Sequence, residues 1–184
     1  MLHRYPVHGP VVATRERGSE VRQKLEALLR TASPGDVVEV DLTGVEAMTV
    51  SFADELVGRL MADRASGEFQ DQALVVVGKS DDVRETLEVV LERRGLGVLY
   101  RDARHGSAEA LAGPPWFRRT VTEAQRLGTF RAMDLARTLD LSPQAANNRL
   151  KQLSASGAVL KERVVPAGGG KEFEYRAATT LSPA

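Results

Sequence analysis

The chain has 184 residues, is 42% hydrophobic, 27% charged and 5% aromatic, and contains no cysteine. That composition is ordinary for a globular fold. It excludes disulfides and thiolate chemistry, and His3, His8 and His105 fall into no zinc-ligand spacing. The formal charge of +0 conceals a split: residues 1–114 hold 14 Lys and Arg against 19 Asp and Glu, a balance of −5, whereas residues 115–184 hold 11 against 6, a balance of +5.

An acidic and a basic half predict two domains with different partners, the basic one suited to phosphate. No apolar run approaches the roughly 20 residues needed to cross a bilayer. The start, MLHRYPVHGP, lacks the apolar stretch of a secretory signal. A cytoplasmic protein without metal, cofactor or membrane contact is expected.

Along the first half, GPVVAT is a short β-like run. Residues 18–32 then place Val21, Leu25, Leu28 and Leu29 on one helical face. Ser-Pro-Gly-Asp breaks that helix, and VVEVDL reads as a strand. Residues 51–65 form the next helix, with Phe52, Leu56, Leu60 and Met61 facing inward. ALVVVG is a continuous apolar run, as in a strand covered on both faces. Residues 80–95 carry a full set of helix signals: Ser80 as N-cap, acids in the first turn, Arg93 and Arg94 in the last, and Gly95 as stop. GVLY reads as the last strand of this half. Strands alternating with helices predict an α/β sandwich with a mainly parallel sheet.

Gly113-Pro114-Pro115 marks a boundary. Residues 116–128 form a helix ended by Gly128, and Met133, Ala136 and Leu139 give a second its periodicity. A short turn leads to a third, with Ser142 at N-cap and Pro143 at N1. Residues 158–178 then read as two strands joined by Pro-Ala-Gly-Gly-Gly-Lys, a hairpin with a glycine tip.

On the third helix Ala146, Leu150 and Leu153 lie along one side, directed at Leu135, Leu139 and the hairpin. Gln144, Asn147, Asn148 and Lys151 lie at i, i+3, i+4 and i+7 on a polar stripe facing away. Amide side chains match the donor and acceptor on the major-groove edge of adenine, and Lys meets guanine or phosphate. Ser142 and the helix N-terminus suit a phosphate contact. Arg149, off the centre of the stripe, is assigned to the nucleic-acid backbone, as is Lys171 at the hairpin tip, with Lys161 and Arg163 as further phosphate contacts.

Three helices with a short turn between the last two, followed by a glycine-tipped hairpin, resemble the winged helix-turn-helix of bacterial transcription regulators across residues 116–178. The resemblance implies an α+β domain that puts its third helix into the major groove of double-stranded DNA, and a homodimer on paired half-sites.

The segments VVEVDLTGVEAMTVSFADELVGRL and RERGSEVRQKL resemble the STAS-like family of unknown function, distant kin of the anti-sigma-factor antagonists. The likeness runs over about residues 10–103, within an α/β STAS-like sandwich assigned to residues 1–112. In the antagonists a serine or threonine at this strand-to-helix corner is phosphorylated, and the phosphate breaks partner binding. Ser51 occupies the corresponding place, with Asp54 beside it. Thr49 stands where an aspartate is usual, and Phe52 where a small glycine is.

The residues also allow a purely structural reading, in which Ser51 is the N-cap and Asp54 the N3 acid of a capping box, with Thr49 as a second possible cap. The acids Asp41, Asp54 and Glu55 lack a histidine, a nucleophile or a phosphate loop, and a solvated helix N-terminus accounts for them, so no catalytic residue is assigned. Two functions follow as expectations. One is a DNA-binding transcriptional regulator whose STAS-like domain senses a signal or a regulatory protein partner. The other is a partner-switching interaction module without direct DNA binding.

Overall fold

The structure, a computed structural model, describes residues 1–164 and 172–178. The whole of the expected hairpin tip, residues 166–171 with Lys171, lies outside the described residues.

A five-stranded sheet forms the centre. Its strands are β1 (Leu2–Pro6), β3 (Val37–Asp41), β5 (Ala73–Gly78), β6 (Gly97–Asp102) and β7 (Ala108–Ala112), in that spatial order. The first four pair in parallel, and β7 runs antiparallel against β6 with Leu99 opposite Ala110. A separate parallel pair joins β2 (Val11–Val12) to β4 (Ala47–Met48). Four strands escape the sequence pattern. The expected linker contains β7, β1 begins in a segment whose alternation is obscured by Pro6 and two histidines, and β4 and β8 (Thr129–Arg131) are only two and three residues long.

One face of the sheet is covered by α1 (Arg15–Thr31), α2 (Val50–Ala53), α3 (Arg59–Ser66) and α4 (Asp81–Arg94). A π-helical turn, Asp54–Gly58, joins α2 to α3. Strand residues Val38, Val40, Leu74, Val76 and Val98 meet Leu25, Leu29, Phe52, Leu56, Leu60, Leu87 and Leu91 in one core. The period-2 alternation of a strand sends the neighbouring residues to the other face. There Val37, Ala73, Val75, Val77, Leu99 and Ala110 pack against the second half of the chain.

That second half consists of α5 (Pro115–Leu127), β8 (Thr129–Arg131), α6 (Ala132–Leu139), α7 (Pro143–Ala155), β9 (Val159–Val164) and β10 (Glu172–Ala177). β10 lies between β8 and β9, antiparallel to both. Phe117, Val121 and Ala124 of α5 and Leu135, Leu150, Leu153 and Tyr175 extend the apolar cluster that begins on the sheet. The reading of ALVVVG as covered on both faces is therefore correct, and the second cover comes from the basic half. Met133 departs from its assigned inward place. It is 55% exposed, and Leu135 fills the core beside Ala136 and Leu139. No helix among the described residues is long and apolar enough to cross a membrane.

Candidate functional site

The α6–α7 pair is built as its residues demand. Leu139 ends α6, and Asp140 turns the chain at φ 52, a left-handed conformation that Asp tolerates better than most residues. The Ser142 hydroxyl then accepts the Ala145 N–H at 3.2 Å, and Pro143 supplies the fixed φ of a first helical turn. Leu150 and Leu153 are fully buried against α6 and the small sheet.

On the opposite side Gln144, Asn147, Asn148 and Lys151 are all exposed. Two amides are held within the helix: Gln144 Nε2 donates to Asn148 Oδ1 at 3.1 Å, and Asn147 Nδ2 donates to the Pro143 carbonyl at 2.9 Å. Lys151 has no carboxylate within ion-pair distance among the described residues, and the same holds for Arg119, Arg137 and Arg163. Lys161 lies over the Phe173 ring, 3.8 Å from its centroid.

Arg149 sits elsewhere. Its Nη1 donates to the Thr120 hydroxyl at 3.2 Å, and its guanidinium stacks over Trp116 at 5.3 Å. Both contacts turn it from the stripe toward α5, where it braces the helix. The assignment of Arg149 to a nucleic-acid backbone has to be set against this inward anchoring.

The far end of α7 is fixed by a residue to which sequence pattern gives no role. Arg64 on α3 is fully buried. Its Nε donates to the Ala155 carbonyl at 2.9 Å, and Nη2 to Gln72 O at 2.8 Å and Ser154 O at 3.3 Å, while Nη1 donates to Phe69 O. Two of these acceptors are carbonyls of the last helical turn, which have no partner within the helix. Burial pushes the guanidinium down to about 10, so it remains charged at neutral pH. Next along the chain, Gly157 adopts φ 78, and its carbonyl accepts the Leu74 N–H of β5 at 3.3 Å. A Cβ at Gly157 would stand 2.6 Å from that nitrogen, so only glycine lets the two backbones meet.

The strand-to-helix corner in the first half is arranged differently from the expected cap. Thr49, not Ser51, is the N-cap, and its hydroxyl accepts the Phe52 N–H at 3.2 Å. Ser51 lies one residue inside the helix, exposed, and its hydroxyl has no hydrogen-bond partner among the described residues. Asp54 accepts from Arg94 Nε at 2.7 Å, and this contact holds its carboxyl below the usual carboxylate range. Gly58 makes room for that pair, since a Cβ there would meet Arg94 Nε at 2.8 Å.

Glu55, expected at a solvated helix start, is instead 4% exposed. Arg59 approaches it at 3.0 Å, Arg22 at 3.3 Å and Arg15 at 3.5 Å. Gly18 brings α1 close enough for these pairs, because its missing Cβ would lie 2.9 Å from Phe52 O and 3.0 Å from the Glu55 Cβ. The π-helical turn carries this carboxylate, and such turns cluster where a helix is bent to a purpose. The sequence signal for the cluster is the pairing of RERGSEVR with SFADEL.

Residues 17–84 match the family model described as a STAS-like domain of unknown function (DUF4325). The matched run extends from α1 through β3, the Ser51 corner and β5 into the first turn of α4. No curated protein and no solved structure matches the chain. A STAS-like domain suggests a protein-interaction or sensing module.

Proposed function

We propose that the chain is a DNA-binding transcriptional regulator in which the basic half is a winged helix-turn-helix and the STAS-like half receives a signal or a protein partner. The observation that carries this reading is the exposed stripe of Gln144, Asn147, Asn148 and Lys151 on a Ser142-capped helix whose opposite side is locked into a core. Amides and an ammonium presented on one rigid face are the groups that read base edges. Ser142 with the N-terminus of α7, Arg163, Lys161 and Lys171 supplies phosphate contacts, and two copies engage paired half-sites.

Fluorescence anisotropy on a duplex library tests it. Affinity should fall steeply with salt, because neutralised phosphates release counter-ions. Asn148→Ala and Lys151→Ala should each weaken specific binding by roughly 1–3 kcal/mol. Wild-type affinity in both variants removes the recognition-helix assignment.

The partner-switching reading is favoured by one separate observation. Ser51 presents a hydroxyl without a partner among the described residues, next in the chain to Val50, which is 41% exposed and lines a shallow depression with Asp82, Glu85 and Val89. Phosphate on Ser51 would add nearly two negative charges one residue from that depression. A Ser51→Asp variant should then lose a protein partner that wild type captures. Equal capture by both, with no phosphate on Ser51 by mass spectrometry, leaves that hydroxyl without a switching role.

A further inference from the structure

A cleft of about 410 Å³ opens between α3, the turn from α4 into β6, and the outer side of α7. Its floor is apolar, with Met61, Leu96 and Phe117. The Phe117 ring is seated there by two glycines: a Cβ at Gly97 would come within 2.5 Å of it, and one at Gly113 within 2.9 Å. The opposite wall is polar and comes from α7, with Asn148, Lys151 and Gln152. Lys151 is the one charged side chain among the described residues lining the cleft, and no acid faces it there. Ligand sites of roughly 300–1,000 Å³ are built in this way, from an apolar body and a few convergent polar groups.

We infer that this cleft is a binding site for a small amphipathic carboxylate, with its apolar body on Met61, Leu96 and Phe117 and its charged end on Lys151. A single ammonium flanked by amides suits a monoanion. A phosphate carries nearly two charges, and the described lining sets only the single cation of Lys151 against them. Asn148 and Lys151 belong at the same time to the stripe assigned to DNA. Ligand and duplex therefore exclude each other, a consequence that rests on the DNA-binding reading, whereas the site itself does not.

The test uses the full chain, with phenylacetate and hexanoate as probes and their primary amides as neutral controls, followed by ¹H–¹⁵N NMR titration. The acids should bind saturably and move the side-chain amide signals of Asn148 and Gln152. They should bind roughly tenfold or more tightly than the amides, the effect expected of a charge-assisted hydrogen bond. Lys151→Met, at an exposed position, should abolish the preference for acid. Ala65→Trp, at the exposed lip, should block all four probes.

Absence of saturable binding by either acid overturns the proposal. So does a preference for acid that persists in Lys151→Met. In a second arm the acids should displace duplex from wild type but not from Ala65→Trp. A chain that binds acids and no duplex retains the site and loses the DNA reading, and the reverse result loses the site alone.

Discussion

Replacing Arg64 by methionine should destabilise the whole fold, although the side chain forms no ion pair among the described residues and touches neither proposed ligand. Its guanidinium satisfies the carbonyls of Phe69, Gln72, Ser154 and Ala155. Ser154 O keeps the Gly157 N–H at 3.0 Å, so three carbonyls lose their partner. Each buried acceptor left without one costs about 1–3 kcal/mol, so three together cost roughly 3–9 kcal/mol. Against this stands relief from burying a cation. A guanidinium depressed from 12.5 to about 10 has its charged form penalised by about 3 kcal/mol. The difference centres on about 3 kcal/mol, the lower end of the range found when one partner of a buried charged contact is removed. Equilibrium unfolding in guanidinium chloride, followed by the fluorescence of the lone Trp116, measures it. Arg64→Lys keeps the charge without the planar fork and should fall between the two, at about 1–3 kcal/mol. Hydrogen exchange should speed first at the last turn of α7 and at Leu74. A methionine variant within about 1 kcal/mol of wild type, with an unchanged denaturant slope, would refute the reasoning that three stranded carbonyls outweigh the relief from burying the cation.

Gly18→Ala should lower stability by about 1–3 kcal/mol in thermal unfolding, since the new methyl must displace the π-helical turn or α1. Glu55→Gln leaves Arg22, itself little exposed, without its second carboxylate and should cost about 1–3 kcal/mol, while Glu20→Gln on the exposed side of the same helix should cost almost nothing in the same urea titration. Asp36 is held at about 2 by the Met1 ammonium first and by His3 next. Its native value lies below the unfolded one, so its contribution is complete above about pH 4 and is lost as pH falls through about 2. Asp36→Asn should therefore flatten the acid limb of the stability profile in urea titrations between about pH 2 and 4.

The sequence disclosed the elements whose signals are local. Ser80, Ser142 and Pro143 announced two helix starts, Gly95 and Gly128 two ends, and the apolar run of β5 its burial on both faces. Pattern failed where a position is decided by distant partners. β7 resembles linker in the sequence because Ala-Glu-Ala-Leu-Ala is weak as a strand and owes its place to pairing with β6. Met133 and Leu135 both fit a helical period, and only the position of the small sheet settles which one turns inward. Thr49 and Ser51 are equivalent caps in a string of letters, and the path of the chain out of β4 chose between them. The polar stripe of α7 was legible because it depends on helical spacing alone. The ties of Arg64 and Gly157 to distant parts of the chain are not, since the α7 carbonyls that Arg64 holds lie 90 and 91 residues away and Gly157 meets Leu74 of β5.

Those two ties decide what a signal in the first half could reach. The first turns of α7 project its amides into solvent, whereas its last turn is hydrogen-bonded to α3 through Arg64 and its continuation to β5 through Gly157. Arg64 shares α3 with Arg59, which lies against Glu55, and the π-helical turn separates this helix from Ser51. A change at the Ser51 corner or in the Glu55 cluster is therefore connected to α7 by one short helix and a buried guanidinium, without crossing a flexible linker. Packed helices shift as units because close-packed interiors resist continuous deformation. A displacement of α3 would move the seat of Arg64 and the wall of the cleft together, and the stripe of α7 would tilt relative to its own core. Coupling of this kind needs the two halves to share hydrophobic contacts, and the cluster running from Val75 and Leu99 through Phe117 to Leu150 and Tyr175 provides them.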